Sequence, residues 1–224
     1  MRFDQLIING VASNDDFDAT IKERTISQPK KKAITETVPF SNQIYDFSGI
    51  DGEIYWESRS LEYIFEIVAE TPEELEEKKR KFLSWIMFVQ DGELYDPYIT
   101  DFYFKATFDS AKPDDSEIEK TTIAVSFTAY PYKIAKNPKK YAYNLDPSEK
   151  RTVVVYSDAA HRVVPTLTTT TPFVMAMDDI VYSVPEGETT DDTFMIPSGS
   201  TEIVLQNIGE STGTLTISFR EEVM

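Results

Sequence analysis

Leu61-Glu62-Tyr63-Ile64-Phe65-Glu66-Ile67 is followed four residues later by Thr71-Pro72-Glu73-Glu74, and the two runs obey different periods. In the first, the odd positions are apolar and most even positions are not, the pattern of a strand with one face on a core. The second is a capping box with proline at the first helical position, where its missing N–H costs nothing. Leu75, Phe82, Leu83, Ile86 and Met87 then recur at helical spacing, while Glu77, Arg80, Lys81 and Ser84 form a polar face. The spacing predicts a helix over 72–89, with Gly92 marking its end. Strand, cap, helix and glycine in that order fix a sheet carrying one prominent α-helix.

Working outward, period two dominates. Phe102, Phe104, Ala106 and Phe108 share a face against Tyr103, Lys105 and Thr107, and Ile123, Val125 and Phe127 oppose Thr122, Ala124 and Ser126. These are half-buried antiparallel strands. Later, Val153 to Tyr156, Ile203 to Leu205, and Leu215, Ile217 and Phe219 read as strands. They are punctuated by Pro185-Glu186-Gly187, Pro197-Ser198-Gly199 and Ile208-Gly209. No convincing helix falls there, and the spacing of turns suggests a small β-sandwich. The fold class is mainly β.

Composition shifts near residue 150. From Arg151 onward there are three arginines, no lysine and eleven acids, and both tryptophans, Trp56 and Trp85, lie earlier. The run from Asn137 to Ser148 is rich in proline and polar residues, as linkers are. The expected organisation is therefore a domain over 1–136, a linker over 137–150 and a second domain over 151–224.

With 39 acidic against 22 basic residues, the net charge is −17. Such a chain repels phosphate backbones and anionic lipid, so specific nucleic-acid binding and membrane docking are poor expectations. Cysteine is absent, which removes disulfides, thiolate nucleophiles and cysteine metal sites. Met1 to Gln5 turns polar too early for a signal peptide, and no apolar run approaches membrane length.

Chemistry has few footholds. The single histidine, His161, has Ser157 and Asp158 close in sequence, whereas a serine–histidine–acid site draws its groups from distant segments. A loop residue ahead of Val163-Val164-Pro165 is the better reading. Asn14-Asp15-Asp16-Phe17-Asp18 and Asp114-Asp115-Ser116-Glu117 lack the spaced calcium-loop pattern. No phosphate-cradling glycine loop or zinc spacing is present. The expectation is a protein that is not an enzyme, with no catalytic residue, cofactor or metal. Binding has two candidates: Lys30, Lys31 and Lys32, a basic segment suited to an acidic face of a neighbouring copy, and Tyr130, Pro131 and Tyr132, where core packing competes with contact.

Phe127-Thr128-Ala129-Tyr130-Pro131-Tyr132-Lys133-Ile134 is similar to the strand that closes the N-terminal domain of bacteriophage (siphophage) distal tail proteins. Leu6-Ile7-Ile8-Asn9-Gly10 followed by a loop into Thr37-Val38-Pro39 also resembles that family, although Phe40-Ser41-Asn42-Gln43 stands where a glycine-rich turn is usual. The order strands, helix, hairpin from Tyr95 to Phe108, and closing strand matches as well. In the second part, Val164-Pro165 and Ile217-Ser218-Phe219-Arg220 resemble the family's galectin-like sandwich. The resemblance implies a virion protein at the phage tail tip, assembled in the host bacterial cytoplasm. Its first domains would form a homohexameric ring around the DNA path, joining the tail tube protein to a tail-associated hub or fibre protein. Closing such a ring removes exposed sheet edges, and a negative lumen lets DNA slide.

Three rivals stand beside it. A carbohydrate-binding adhesion module needs an exposed aromatic platform, and the second domain has no tryptophan, only Tyr156, Phe173, Tyr182, Phe194 and Phe219. A wall-degrading hydrolase needs a specific acid pair, which 39 acids do not single out. A tube or other baseplate subunit differs in ring size.

Overall fold

A computed structural model describes residues 3–37, 39–40, 42, 44–49, 54–178 and 180–224. The chain divides into two units, Met1–Lys133 with Met224, and Ile134–Val223. In chain order the first contains β1 (Ile7–Ile8), β2 (Val11–Ala12), α1 (Ser13–Phe17), β3 (Ala19–Ile26), β4 (Thr35–Thr37), β5 (Ile44–Asp46), β6 (Arg59–Val68), α2 (Pro72–Ile86), β7 (Gly92–Tyr95), β8 (Phe102–Asp114) and β9 (Lys120–Ala129). Next come β10 (Lys133–Ala135), β11 (Lys139–Leu145), β12 (Lys150–Ser157), β13 (Thr166–Thr169), β14 (Phe173–Met177) and β15 (Ile180–Val184). The chain closes with β16 (Gly187–Thr190), β17 (Gly199–Asn207), β18 (Gly213–Phe219) and β19 (Glu222–Val223).

The first unit is built on an antiparallel sheet of order β2-β1-β7-β8-β9-β6-β3. Its longest ladder, β6 with β9, runs from Arg59↔Ala129 to Val68↔Lys120 without a bulge. Period two therefore survives along the whole ladder: Leu61, Tyr63, Phe65 and Ile67 face the core, as do Ile123, Val125 and Phe127 opposite them. Tyr103 departs from the alternation. It is buried as well, its ring 5.1 Å from that of Tyr95. Asn9 and Gly10 both have positive φ, 51° and 83°, which joins β1 to β2 by a tight hairpin turn.

Helix α2 covers the sheet's buried face. Thr71 Oγ1 accepts from Glu74 N at 3.2 Å, while Glu74 Oε2 accepts from Glu70 N rather than from Thr71. Phe82 is fully buried and reaches Phe65, Phe17 and Trp85. The helix stops at Ile86, three residues before the expected 89, and Met87, expected inward, is exposed. Gly92 does not cap the helix. It opens β7, where a Cβ would meet Val89 Cγ1 at 2.9 Å and Ile8 Cγ2 at 3.1 Å, so the chain there needs a residue without a side chain.

The second unit is a β-sandwich of two four-stranded sheets, β11-β18-β13-β16 and β12-β17-β14-β15. Alternate residues of both feed one core: Leu145, Leu167, Leu215, Ile217 and Phe219 from the first, Val153, Val155, Phe173, Met175, Ile203 and Leu205 from the second. The expected linker over 137–150 is not one. Residues 139–145 are β11, in register with β18 through Tyr141↔Ile217 and Tyr143↔Leu215. Tyr141 and Tyr143 point inward between Lys140, Ala142 and Asn144, and the Tyr141 hydroxyl bonds the Tyr156 backbone at its N and O. Pro138 and Pro147 bracket this strand. The same proline that signals a linker also punctuates a strand end, and composition does not separate the two.

Candidate interaction surface

Both candidate segments flank one run of chain, Tyr55 to Arg59. On one side Lys32 N donates to Tyr55 O and Glu57 N donates to Lys30 O, each at 2.8 Å, while Lys31 bridges Trp56. This two-sided backbone clamp leaves all three lysine side chains exposed. The segment leads into the β4–β5 hairpin, whose strand residues, Thr35–Thr37 and Ile44–Asp46, are all exposed. Ile34, Ile44, Tyr45 and Phe47 there turn apolar surface to solvent. Asp46 lies below the ordinary carboxylate range because Ser48 hydrogen-bonds it through its side chain and its backbone, with Lys31 adding attraction. Val38, Ser41 and Gln43 of the expected loop lie outside the described residues.

On the other side, Tyr130 to Tyr132 follows β9. Tyr132 is buried and Tyr130 is 39% exposed, their rings 5.4 Å apart and edge-on. Core packing thus accounts for one tyrosine and not the other. Tyr130 N donates to Lys105 O at 2.8 Å, and the groove beside it includes Ser58, Asp91, Lys105, Thr128, Tyr130 and Pro131, with Lys105 Nζ 3.7 Å from Asp91 Oδ2.

Between the two segments sits a residue that the sequence reading passed over. Arg59 heads the inward series Arg59, Leu61, Tyr63, Phe65, Ile67, and is only 3% exposed. Its Nη2 donates to Pro131 O, and its guanidinium carbon lies 5.5 Å from the centre of the Phe104 ring. Extending the alternation by one step would have found it: a basic residue on the buried face of a strand is a signal in itself.

The histidine neighbourhood is structural in its contacts. His161 Nε2 is 2.8 Å from Glu222 Oε2, and Nδ1 is 2.7 Å from Arg162 O. Ser157 is buried, and its hydroxyl accepts from Ala159 N at 3.2 Å. The two acidic clusters are engaged in caps and ion pairs: Asp16 accepts from Ala12 N, Asp18 pairs with Lys78, and Asp115 pairs with Lys79. Among the described residues no group of three or more His, Asp or Glu is arranged to hold a metal ion.

No family model and no curated protein sequence matches the chain. Among solved structures it superposes on the Dit (gp 19.1) protein of phage SPP1 at a TM-score of 0.65. That superposition covers 96% of this chain and 98% of that one at 13% identity. The chain has the fold of the SPP1 Dit protein. This is the fold that the resemblance to distal tail proteins implies, and the match runs through both units. The SPP1 protein is described as a paradigm of the hub adsorption apparatus of phages infecting Gram-positive bacteria. A looser similarity, at a TM-score of 0.45 and 10% identity over 96% of this chain and 97% of the other, is to the baseplate of phage P2 in its activated conformation with calcium.

Proposed function

We propose that the chain is a structural subunit of the tail tip of a long-tailed phage. It assembles as a homohexameric ring around the DNA path, with one face toward the tail tube protein and the other toward a tail-associated hub or fibre protein. The observation that carries this reading is the Dit fold, matched over nearly the full length of both chains. Fold alone does not assign function, so the surface has to agree. It does in two respects. Apolar side chains of the β4–β5 hairpin stand in solvent on the protomer, as surfaces destined for burial do. A net charge of −17 also suits a lumen that DNA traverses without adhering.

In this reading the protein performs no chemistry and needs no cofactor, and its place is the virion tail tip after assembly in the host cytoplasm. A galectin-like sugar-binding role for the second unit is the weaker alternative. Phe173, Phe194 and Phe219 are committed to the sandwich core, which leaves Tyr156 as the well-exposed ring among the five aromatic candidates. Native mass spectrometry with negative-stain imaging decides the matter. Six copies around a central hole are expected, and a chain that stays monomeric at tens of micromolar overturns the proposal.

A further inference from the structure

The sheet edges of the second unit are not treated alike. The β12 edge is closed by a tyrosine: the Tyr141 hydroxyl accepts from Tyr156 N at 3.1 Å and donates to Tyr156 O at 2.9 Å. The β11 edge opens with Lys139-Lys140, and the β16 edge carries Glu188. Covering groups and charged side chains are the usual means of keeping an edge from pairing with another chain. The β15 edge has neither. Ile180-Val181-Tyr182-Ser183-Val184 is uncharged and pairs with β14 alone, in a ladder unbroken from Phe173↔Val184 to Met177↔Ile180. Ile180 and Val181 are 52% and 68% exposed. Tyr182 turns inward and anchors the strand, its hydroxyl donating to Thr193 O at 2.7 Å and its ring 4.8 Å from that of Phe194.

In an antiparallel ladder every second residue of an edge strand points its N–H and C=O away from its neighbour, where another strand can bond them. Apolar surface lies beside that edge. Val181 is in register with Ala176, and Ala176 with Val204, a row across the outer face of three strands. We propose that β15 receives an extended segment of a partner protein by strand addition, one with an uncharged β-branched centre and lysine or arginine at both ends. The edge dictates the extended form, and charge dictates the ends. Between Val163 and Phe219 the chain has eight acids and no lysine, arginine or histidine. Exposed Asp178 and Glu186 bracket β15 itself. Two copies pairing antiparallel about Tyr182 would set Asp178 of one against Glu186 of the other, which disfavours a second copy and favours a basic-ended strand. The inference goes beyond the ring reading and does not depend on it, since this edge lies wholly in the second unit.

The test uses the full chain and a labelled hexapeptide with lysine at both ends and alternating threonine and valine between them. Fluorescence anisotropy at physiological salt reads binding, and hydrogen exchange with mass spectrometry reads the amides of Ile180–Val184. Saturating peptide should slow exchange there at least tenfold. Binding should weaken at least tenfold for a glutamate-ended peptide, for one N-methylated along the edge that faces β15, and for Val181→Pro, which removes a backbone donor from the strand. Asp178→Asn combined with Glu186→Gln should narrow the difference between the lysine-ended and glutamate-ended peptides. The N-methylated peptide probes the wild-type chain, so the result holds even where Val181→Pro fails to fold. Equal binding of the N-methylated peptide overturns the proposal, because general attraction to a chain of net charge −17 would then suffice. A lysine-ended peptide that does not bind, or binds without slowing exchange at Ile180–Val184, also overturns it. Exchange that slows there as the chain alone is concentrated gives the edge to a second copy and overturns the basic-ended partner. None of these results bears on ring size, so the ring reading stands or falls separately.

Discussion

Asn207 Nδ2 donates to Leu145 O at 2.9 Å, so a side chain on β17 secures the end of β11 in the opposite sheet of the sandwich. The same nitrogen donates to Ser211 O at 2.8 Å, and Oδ1 accepts from Thr171 Oγ1 at 3.1 Å and Gly209 N at 2.9 Å. Asn207 is fully buried with all four bonding positions of its amide in use. Asn207→Ala strands several buried backbone and hydroxyl groups, each worth roughly 1–3 kcal/mol when orphaned. The expected loss is about 3 kcal/mol in urea unfolding of the second unit's transition. Asn207→Asp should be worse, because it removes both donors and buries a charge. A loss below about 1 kcal/mol would show that water replaces these bonds without penalty.

Phe82 is the pivot between α2 and the sheet. It has no solvent exposure, and its ring lies 4.9 Å from Phe65 and 5.8 Å from Trp85. Phe82→Ala should cost about 3–5 kcal/mol, the usual range for a buried phenylalanine truncated where the surroundings cannot collapse. Trp85 reports the event locally, since it also stacks on Phe17 at 4.8 Å. Phe17→Leu should therefore change Trp85 emission in the native state while costing far less stability than Phe82→Ala. Unchanged emission in Phe17→Leu would contradict the stack.

Most of this architecture was readable because each cue was local. The alternation at Leu61 to Ile67 and the Thr71-Pro72 cap each name an element from a few adjacent residues, and the ladder and helix follow. What resisted reading depended on contacts far along the chain. Tyr141 and Tyr143 look like linker residues until β18, more than seventy positions later, supplies Ile217 and Leu215 as partners. Gly92 looks like a helix stop until Val89 and Ile8 crowd it. The interaction surface was half legible. Lys30 to Lys32 and the tyrosines announce themselves by type, whereas the burial of Arg59 shows only when the alternation of Leu61 to Ile67 is carried one step back, and its bond to Pro131 O joins residues more than seventy positions apart.

The pH response of the first unit can be given a sign. Asp115 lies below the ordinary carboxylate range chiefly because the Lys79 ammonium hydrogen-bonds it, with Thr121 Oγ1 donating as well at 2.9 Å. A carboxylate whose folded pKa is depressed contributes stability above its unfolded pKa and loses it as pH falls through the folded value. The Asp115 side chain is 55% exposed, so screening holds its share to under about 1 kcal/mol. Asp115→Asn should lower stability at pH 7 by that amount and by less at pH 2, as the loss shrinks with the pH falling through the folded pKa. Chemical unfolding at the two pH values reads the difference. An equal loss at both would assign the effect to the hydrogen bond with Thr121 instead of to charge.

The three lysines make the opposite kind of prediction, one in which the protomer should not respond. Lys30, Lys31 and Lys32 are exposed, and their segment is held by backbone hydrogen bonds to Tyr55 and Glu57 that any side chain permits. Replacing all three with glutamine should leave protomer stability within about 0.5 kcal/mol, as for exposed positions generally. If these ammonium groups meet an acidic face of a neighbouring copy, their removal should weaken assembly and flatten its dependence on salt, because screening acts on exposed charge pairs over about 10 Å at 0.1 M ionic strength. Sedimentation velocity at 50 and 500 mM salt makes the comparison. The triple glutamine variant should converge on wild type at the higher concentration. Identical salt profiles for wild type and the triple variant would place Lys30 to Lys32 on a free surface and leave the contact to other surfaces such as the apolar hairpin.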